Sequence, residues 1–143
     1  MDIPAIEAAV KQILAAIGED PDREGLQETP ERVAKMCAEI FAGVGKSPAE
    51  DFKTFDTSNQ DEMILVKDIS FYSMCEHHLL PFMGKVHIAY IPNNNRITGF
   101  SELVKVVENF ARRPQIQERM STEIADFLVE KLQPLGILVV IEA

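Results

Sequence analysis

Between Ala5 and Ile17 the apolar side chains fall at Ile6, Val10, Ile13, Leu14 and Ile17, a spacing that predicts an amphipathic helix with Gly18 as its C-terminal cap. A polar turn over Asp20-Pro21-Asp22-Arg23-Glu24-Gly25 follows. Thr29 and Pro30 then suit the N-cap and first residue of a second helix, whose apolar stripe runs through Val33, Met36, Cys37, Ile40 and Phe41 and ends near Gly43. Residues 46–61 are polar and broken by Pro48, which predicts a long connection with little regular structure.

Beyond residue 62 the period changes from helical to extended. Met63-Ile64-Leu65-Val66 and Ile69-Ser70-Phe71-Tyr72 predict a strand leading into Cys75, and Val86 to Ile91 predicts a second strand closed by Pro92-Asn93-Asn94-Asn95. Leu103, Val106, Val107, Phe110 and Ala111 then mark a helix with Ser101 as its N-cap. Pro114 breaks that pattern before a further helix through Ile116, Met120, Ile124, Phe127, Leu128 and Leu132. The unbroken apolar run from Gly136 to Ile141 predicts a buried strand. Two helices, two strands, two helices and one strand make an α+β domain with helices on one face of an antiparallel sheet. The expected division is an N-terminal helical region at 1–45, a connection at 46–61 and a sheet-bearing domain at 62–143.

Composition narrows the function more than the fold. A chain of 143 residues, 46% hydrophobic and 26% charged, is of ordinary globular make-up, and its net charge of −9 argues against general binding to nucleic acid or anionic membranes. Met1-Asp2-Ile3-Pro4 lacks the basic start of a signal peptide, and two cysteines give no disulfide framework, so a cytoplasmic location is expected.

The densest chemistry lies in Ser73-Met74-Cys75-Glu76-His77-His78. Cys75 and His78, spaced C-x-x-H, can offer a thiolate and an imidazole to one zinc ion, and His77 beside them is placed to move a proton. C-x-x-H alone is a weak motif, and a cysteine is often a small buried hydrophobe. Catalytic zinc also takes three protein ligands, and the other cysteine and histidine candidates are Cys37 and His87, the latter in mid-strand and better suited to packing.

Taken together, the motifs resemble a known family, the type I GTP cyclohydrolases. The likeness runs in the family's order through Gly18-Glu19-Asp20-Pro21, Arg23-Glu24-Gly25-Leu26, Thr29-Pro30-Glu31-Arg32-Val33-Ala34-Lys35-Met36, Ser73 to His78, Ala89-Tyr90-Ile91-Pro92, Gly99-Phe100-Ser101 and Arg113-Pro114-Gln115-Ile116-Gln117-Glu118-Arg119. The resemblance implies a tunnelling fold in which sheets of several subunits join into a barrel. It implies a homo-oligomer, a decamer by family pattern, with active sites between neighbouring subunits. It implies a Zn2+ cofactor held by Cys75 and His78, His77 as proton donor, and hydrolytic opening of the guanine imidazole ring of GTP to formate and 7,8-dihydroneopterin triphosphate, on the way to folate and pterin cofactors. By the same resemblance Glu118 and Gln117 hold the guanine, Ser101 lies near the ribose, and Arg32, Lys35 and Lys105 bind the triphosphate. Ordinary helix chemistry accounts for several of these as well: Gln and Glu suit a first turn, Ser101 an N-cap, and Arg32 and Lys35 a solvated helix face.

Two departures stand out. Glu102 occupies a position where the family usually has a phosphate-facing lysine, and Lys105 replaces its usual arginine, which forfeits bidentate phosphate contact. The 143 residues also contain no Glu-His-x-Cys segment, which in the family supplies a further histidine and the third zinc ligand. The resemblance therefore implies a family fragment. The rival readings are another tunnelling-fold protein acting on a purine or pterin, against which Cys75-Glu76-His77-His78 speaks, and a non-catalytic subunit that binds a purine or pterin or serves assembly.

Overall fold

Helix-forming sequence at the N-terminus and strand-forming sequence after it separate into two compact units, Met1–Ala42 and Gly43–Ala143. The computed structural model describes residues 1–58 and 62–143, so the last three residues of the expected 46–61 connection lie outside the described residues.

The first unit is a helix pair, α1 (Ile3–Ala16) packed on α2 (Thr29–Ile40). Asp2 caps α1 by accepting from the Ala5 amide at 3.0 Å. At its other end Gly18, with φ of +92°, donates to the Ala15 carbonyl while Glu19 donates to Leu14, a left-handed stop that glycine adopts without steric cost. The start of α2 corrects the expected cap: Arg32 donates to the Glu28 carbonyl, so Glu28 and not Thr29 is the N-cap, and Pro30 sits one residue further in. The turn over residues 23–28 is already hydrogen-bonded in helical fashion, which draws the boundary back.

The second unit is built on a four-stranded sheet in the order β5-β2-β3-β6. β2 (Ile64–Cys75) and β3 (Pro81–Ile91) form a long antiparallel hairpin from Ile64↔Tyr90 to Met74↔Pro81. β6 (Gly136–Glu142) pairs antiparallel with β3, and the two-residue β5 (Pro114–Gln115) lies parallel to the end of β2. A bulge between Val66 and Ile69 divides the two predicted segments of β2. Asp68 takes φ of 62° there, its amide donates to His87 Nδ1 at 3.2 Å, and its carboxylate meets Lys85 at 2.8 Å. The bulge thus turns His87 into a packed acceptor, in line with its mid-strand position.

Alternation along the hairpin sends Ile69, Phe71, Val86, Ile88 and Tyr90 to one face, against Leu103, Val106 and Val107 of α3 (Phe100–Ala111) and Met120, Ile124 and Leu128 of α4 (Gln117–Leu132). Val86 and Ile88 are wholly buried, each stabilising the fold by about 1.5–3 kcal/mol. Leu65, Tyr72, Met83 and Leu138 on the other face are exposed, so the helices cover one side of the sheet as expected for this α+β class.

Residues 46–58 are more structured than predicted. Pro48–Glu50 form a 3-10 turn, and β1 (Thr54–Asp56) pairs with β4 (Arg96–Thr98) in a separate two-stranded sheet. Strands of three residues leave too short a period to read from sequence. Ser101 is corrected as well: the amides of Glu102 and Leu103 both donate to the Gly99 carbonyl, making Gly99 the N-cap and Ser101 an exposed residue of the first turn. No helix among the described residues is long and apolar enough to cross a membrane.

Candidate active site

The turn between β2 and β3 carries the cysteine and both histidines. It is closed by Cys75 donating its amide to Leu80 and accepting from Leu79, each at 2.8 Å, with Leu79 at φ of 55°. Five residues between Cys75 and Pro81 cannot form a tight two-residue hairpin, so the chain loops outward and leaves His77 and His78 exposed.

Cys75 Sγ lies 3.9 Å from His78 Nδ1 and 4.0 Å from His77 Nδ1. Two ligands on one tetrahedral zinc, with bonds of about 2.3 Å to sulfur and about 2.0 Å to nitrogen, stand about 3.5 Å apart. The donor set and its spacing therefore fit zinc, and the two histidines are equally near the sulfur. What separates them is Glu76, whose Oε1 faces His77 Nε2 at 3.8 Å. Among the described residues no group of three or more His, Cys, Asp or Glu side chains forms a metal-holding cluster, and both Cys37 and His87 stay outside this turn.

β5 brings the second half of the site to the first. Cys75 is in register with Gln115, whose carbonyl accepts from the Glu76 amide at 3.1 Å, and α4 begins two residues later with Gln117 and Glu118. Gln117 Nε2 is tied to the Ile141 carbonyl at 3.1 Å. The Glu118 carboxylate is exposed and takes no hydrogen bond or ion pair among the described residues, which leaves both oxygens open to a ligand.

Beside these groups runs a polar chain, from half-buried Glu76 and Arg119 to buried Gln115, that reading by residue type missed. Arg119 bonds Glu76, Gln115 Oε1 at 3.0 Å and the Pro114 carbonyl at 3.1 Å. Gln115, fully buried, spends its amide protons on the Phe110 carbonyl at 3.0 Å and Glu123 at 2.7 Å. The Arg119 guanidinium holds the Glu76 carboxyl below the usual carboxylate range. A cation in the first turn of α4, where the helix dipole disfavours it, was the signal in the sequence.

Ser101 and Lys105 lie elsewhere. α3 starts beside β4 and ends next to β5, so Ser101 is separated from the Cys75 turn by about 15 Å of helix. Between them on the helix, Glu102 is buried, accepting from the Lys53 amide at 3.2 Å and from Lys105 Nζ at 2.9 Å. Lys105 first, with the Lys53 amide adding to it, holds the Glu102 carboxyl below its ordinary value against the opposing effect of burial. Arg32 and Lys35, on α2 of the first unit, pair along the helix with Glu28 and Glu31 and are exposed.

The sequence profile of the family described as GTP cyclohydrolase I matches residues 6–143. The chain belongs to that family. It is 59% identical over 143 residues to GTP cyclohydrolase 1 of Carboxydothermus hydrogenoformans, covering all of this chain and 74% of that protein. It is 57% identical over 143 residues to the protein of the same name from Desulforamulus reducens, with 99% of this chain and 76% of the relative covered. GTP cyclohydrolase 1 of Bacillus subtilis is 58% identical over 138 residues, 96% of this chain and 73% of its own length. The family match spans both units, so the α+β fold is that of GTP cyclohydrolase I.

Proposed function

We propose that this protein is a zinc-dependent GTP cyclohydrolase that opens the guanine imidazole ring of GTP, releases C8 as formate and yields 7,8-dihydroneopterin triphosphate. The observation that carries the reading is the Cys75↔Gln115 register, which sets a thiolate–imidazole turn beside the open carboxylate of Glu118. Guanine offers two adjacent donors, N1–H and the exocyclic amine, and the two oxygens of Glu118 accept them together. Gln117, steadied by the Ile141 carbonyl, lines the same base. With the base so held, C8 points away from Glu118 toward the turn.

Cys75 and His78 would hold the zinc ion. Zinc in such a site supplies the Lewis acidity that makes water a nucleophile near neutral pH. His77 delivers a proton to a ring nitrogen of the purine imidazole, which weakens the bond to C8, and Glu76 facing its Nε2 keeps the ring turned.

The separation along α3 supports a homo-oligomer. A ribose bound next to C8 cannot reach Ser101 of the same chain across about 15 Å of helix, so Ser101 and Lys105 serve a site completed by the Cys75 turn of a neighbouring subunit. Arg32 and Lys35 would serve as triphosphate ligands once GTP displaces Glu28 and Glu31. The edges of the sheet at β5 and β6 are the places for subunits to join it into a barrel. Two free cysteines suit a cytoplasmic enzyme.

The test is formate release from GTP by the full-length protein with zinc present and with zinc chelated. Formate in step with pterin fluorescence, lost on chelation, is expected; tight GTP binding without formate would favour a non-catalytic purine-binding subunit, a reading to which the neutralisation of Lys105 by Glu102 lends support.

A further inference from the structure

Glu76 in the turn and Arg119 after the base carboxylate both lie inside the matched motifs, and across 43 positions they bond to each other. We propose that Arg119, held by Gln115, is a positioning residue that sets the turn of Cys75, His77 and His78 at a fixed distance from Glu118, with Glu76 as the point of attachment. The inference rests on the function proposed above and goes beyond it to how the two halves of the site are kept in register.

The geometry is over-determined. Gln115, itself buried, uses both amide protons and its oxygen in hydrogen bonds, so it cannot swing. Its oxygen fixes Arg119 Nε, and the other arm of the guanidinium reaches Glu76 and the Pro114 carbonyl. The backbone repeats the link, since the Glu76 amide donates to the Gln115 carbonyl. A planar fork with several fixed donors transmits position in a way that a flexible ammonium cannot. Glu76 spends one oxygen on Arg119 and turns the other toward His77 Nε2, so whatever fixes Glu76 also aims the proton-transferring imidazole. The position of Arg119 in the first turn of α4 opposes the helix dipole, a local cost that the pairing offsets.

Arg119→Lys and Glu76→Gln test this in the full-length zinc-loaded protein. Misplacing reacting groups by about 1 Å costs on the order of 100-fold in turnover. Both variants are therefore expected to lose about that factor in kcat while KM for GTP stays within about threefold, because Glu118 remains at the helix start. The reciprocal double variant Glu76→Arg with Arg119→Glu should recover at least tenfold over Arg119→Glu alone. Independently of turnover, amide hydrogen exchange at residues 75–80 should quicken at least tenfold in Arg119→Lys while the amides of Ile69 and Val86 keep their protection. Unchanged exchange in the turn, or a rise in KM with kcat intact, would overturn the proposal. An unmodified protein that yields no formate would instead sink the function proposed above and leave the exchange result to judge the clamp.

Discussion

The two ends of α3 treat charge in opposite ways. Near the Cys75 turn, half-buried Glu76 and Arg119 neutralise each other, and His77, His78 and Glu118 are left facing outward. At the start of the helix, Glu102 is buried and takes the ammonium of Lys105, so the group expected to meet a phosphate is already engaged. Under the proposed function, ion pairing at one end supports the site and at the other competes with it. Counting basic residues along the sequence cannot tell these cases apart.

The sharpest break in this comparison is at the turn itself. Cys75→Ala should abolish zinc retention through dialysis at neutral pH, whereas His77→Ala should keep the metal and lose about 100-fold or more in ring opening. Since both histidines stand equally near the sulfur, equal zinc loss in His77→Ala and His78→Ala would show the two roles to be shared; metal analysis with single-turnover formate release decides. Glu118→Gln comes next, expected to cost about 2–4 kcal/mol in GTP binding, a thirtyfold or larger effect, because one charge-assisted bond is lost and one mispaired. Competition by inosine triphosphate and ATP checks it: the first, lacking the exocyclic amine, should fall between GTP and ATP in the unmodified protein.

At the other end effects should be smaller and salt-dependent. Glu102→Gln keeps an acceptor for the Lys53 amide but frees Lys105, so GTP should bind a few-fold tighter while guanosine does not, and the gain should shrink as ionic strength rises. Titration calorimetry with both ligands measures it. The same variant has a pH signature. The folded Glu102 carboxyl lies below its unfolded value, so its contribution to stability is present above the unfolded carboxyl pKa of about 4.5 and is lost as pH falls through the lower folded value. Melting curves between pH 6 and pH 3 should therefore fall less steeply for Glu102→Gln than for the unmodified protein.

Periodicity made the long elements readable. The β2–β3 hairpin, α3 and α4 each send an apolar face into the core, and Gly18 marks the end of α1 by its left-handed conformation; β6, expected to be buried, forms as a strand but buries only Ile141 and leaves Leu138 and Val140 exposed at the sheet edge. Elements settled by partners far along the chain were not readable in this way. β1 and β4 owe their existence to each other across some forty residues, and nothing local to Glu102 reveals the Lys53 amide that donates to its carboxylate. The site divides along the same line. Cys75, His77 and His78 are neighbours in sequence and were legible as a cluster, as was the adjacency of Gln117 to Glu118. That the two groups meet depends on a two-residue parallel pairing of β5 with β2, and the Arg119–Glu76 bond that reinforces it belongs to the same long-range class.

Placing Cys75 and His78, the proposed zinc ligands, within four consecutive residues has a thermodynamic consequence. A ligand stabilises a fold by its preference for the folded chain over the unfolded one, and any affinity of the unfolded chain subtracts from the gain. A thiol and an imidazole three residues apart remain a chelating pair when the chain unfolds, so zinc at Cys75 and His78 should raise the melting temperature by less than its affinity for the folded protein would suggest. Under the proposed function, a stronger coupling of metal to folding would require a donor that only folding brings to this turn.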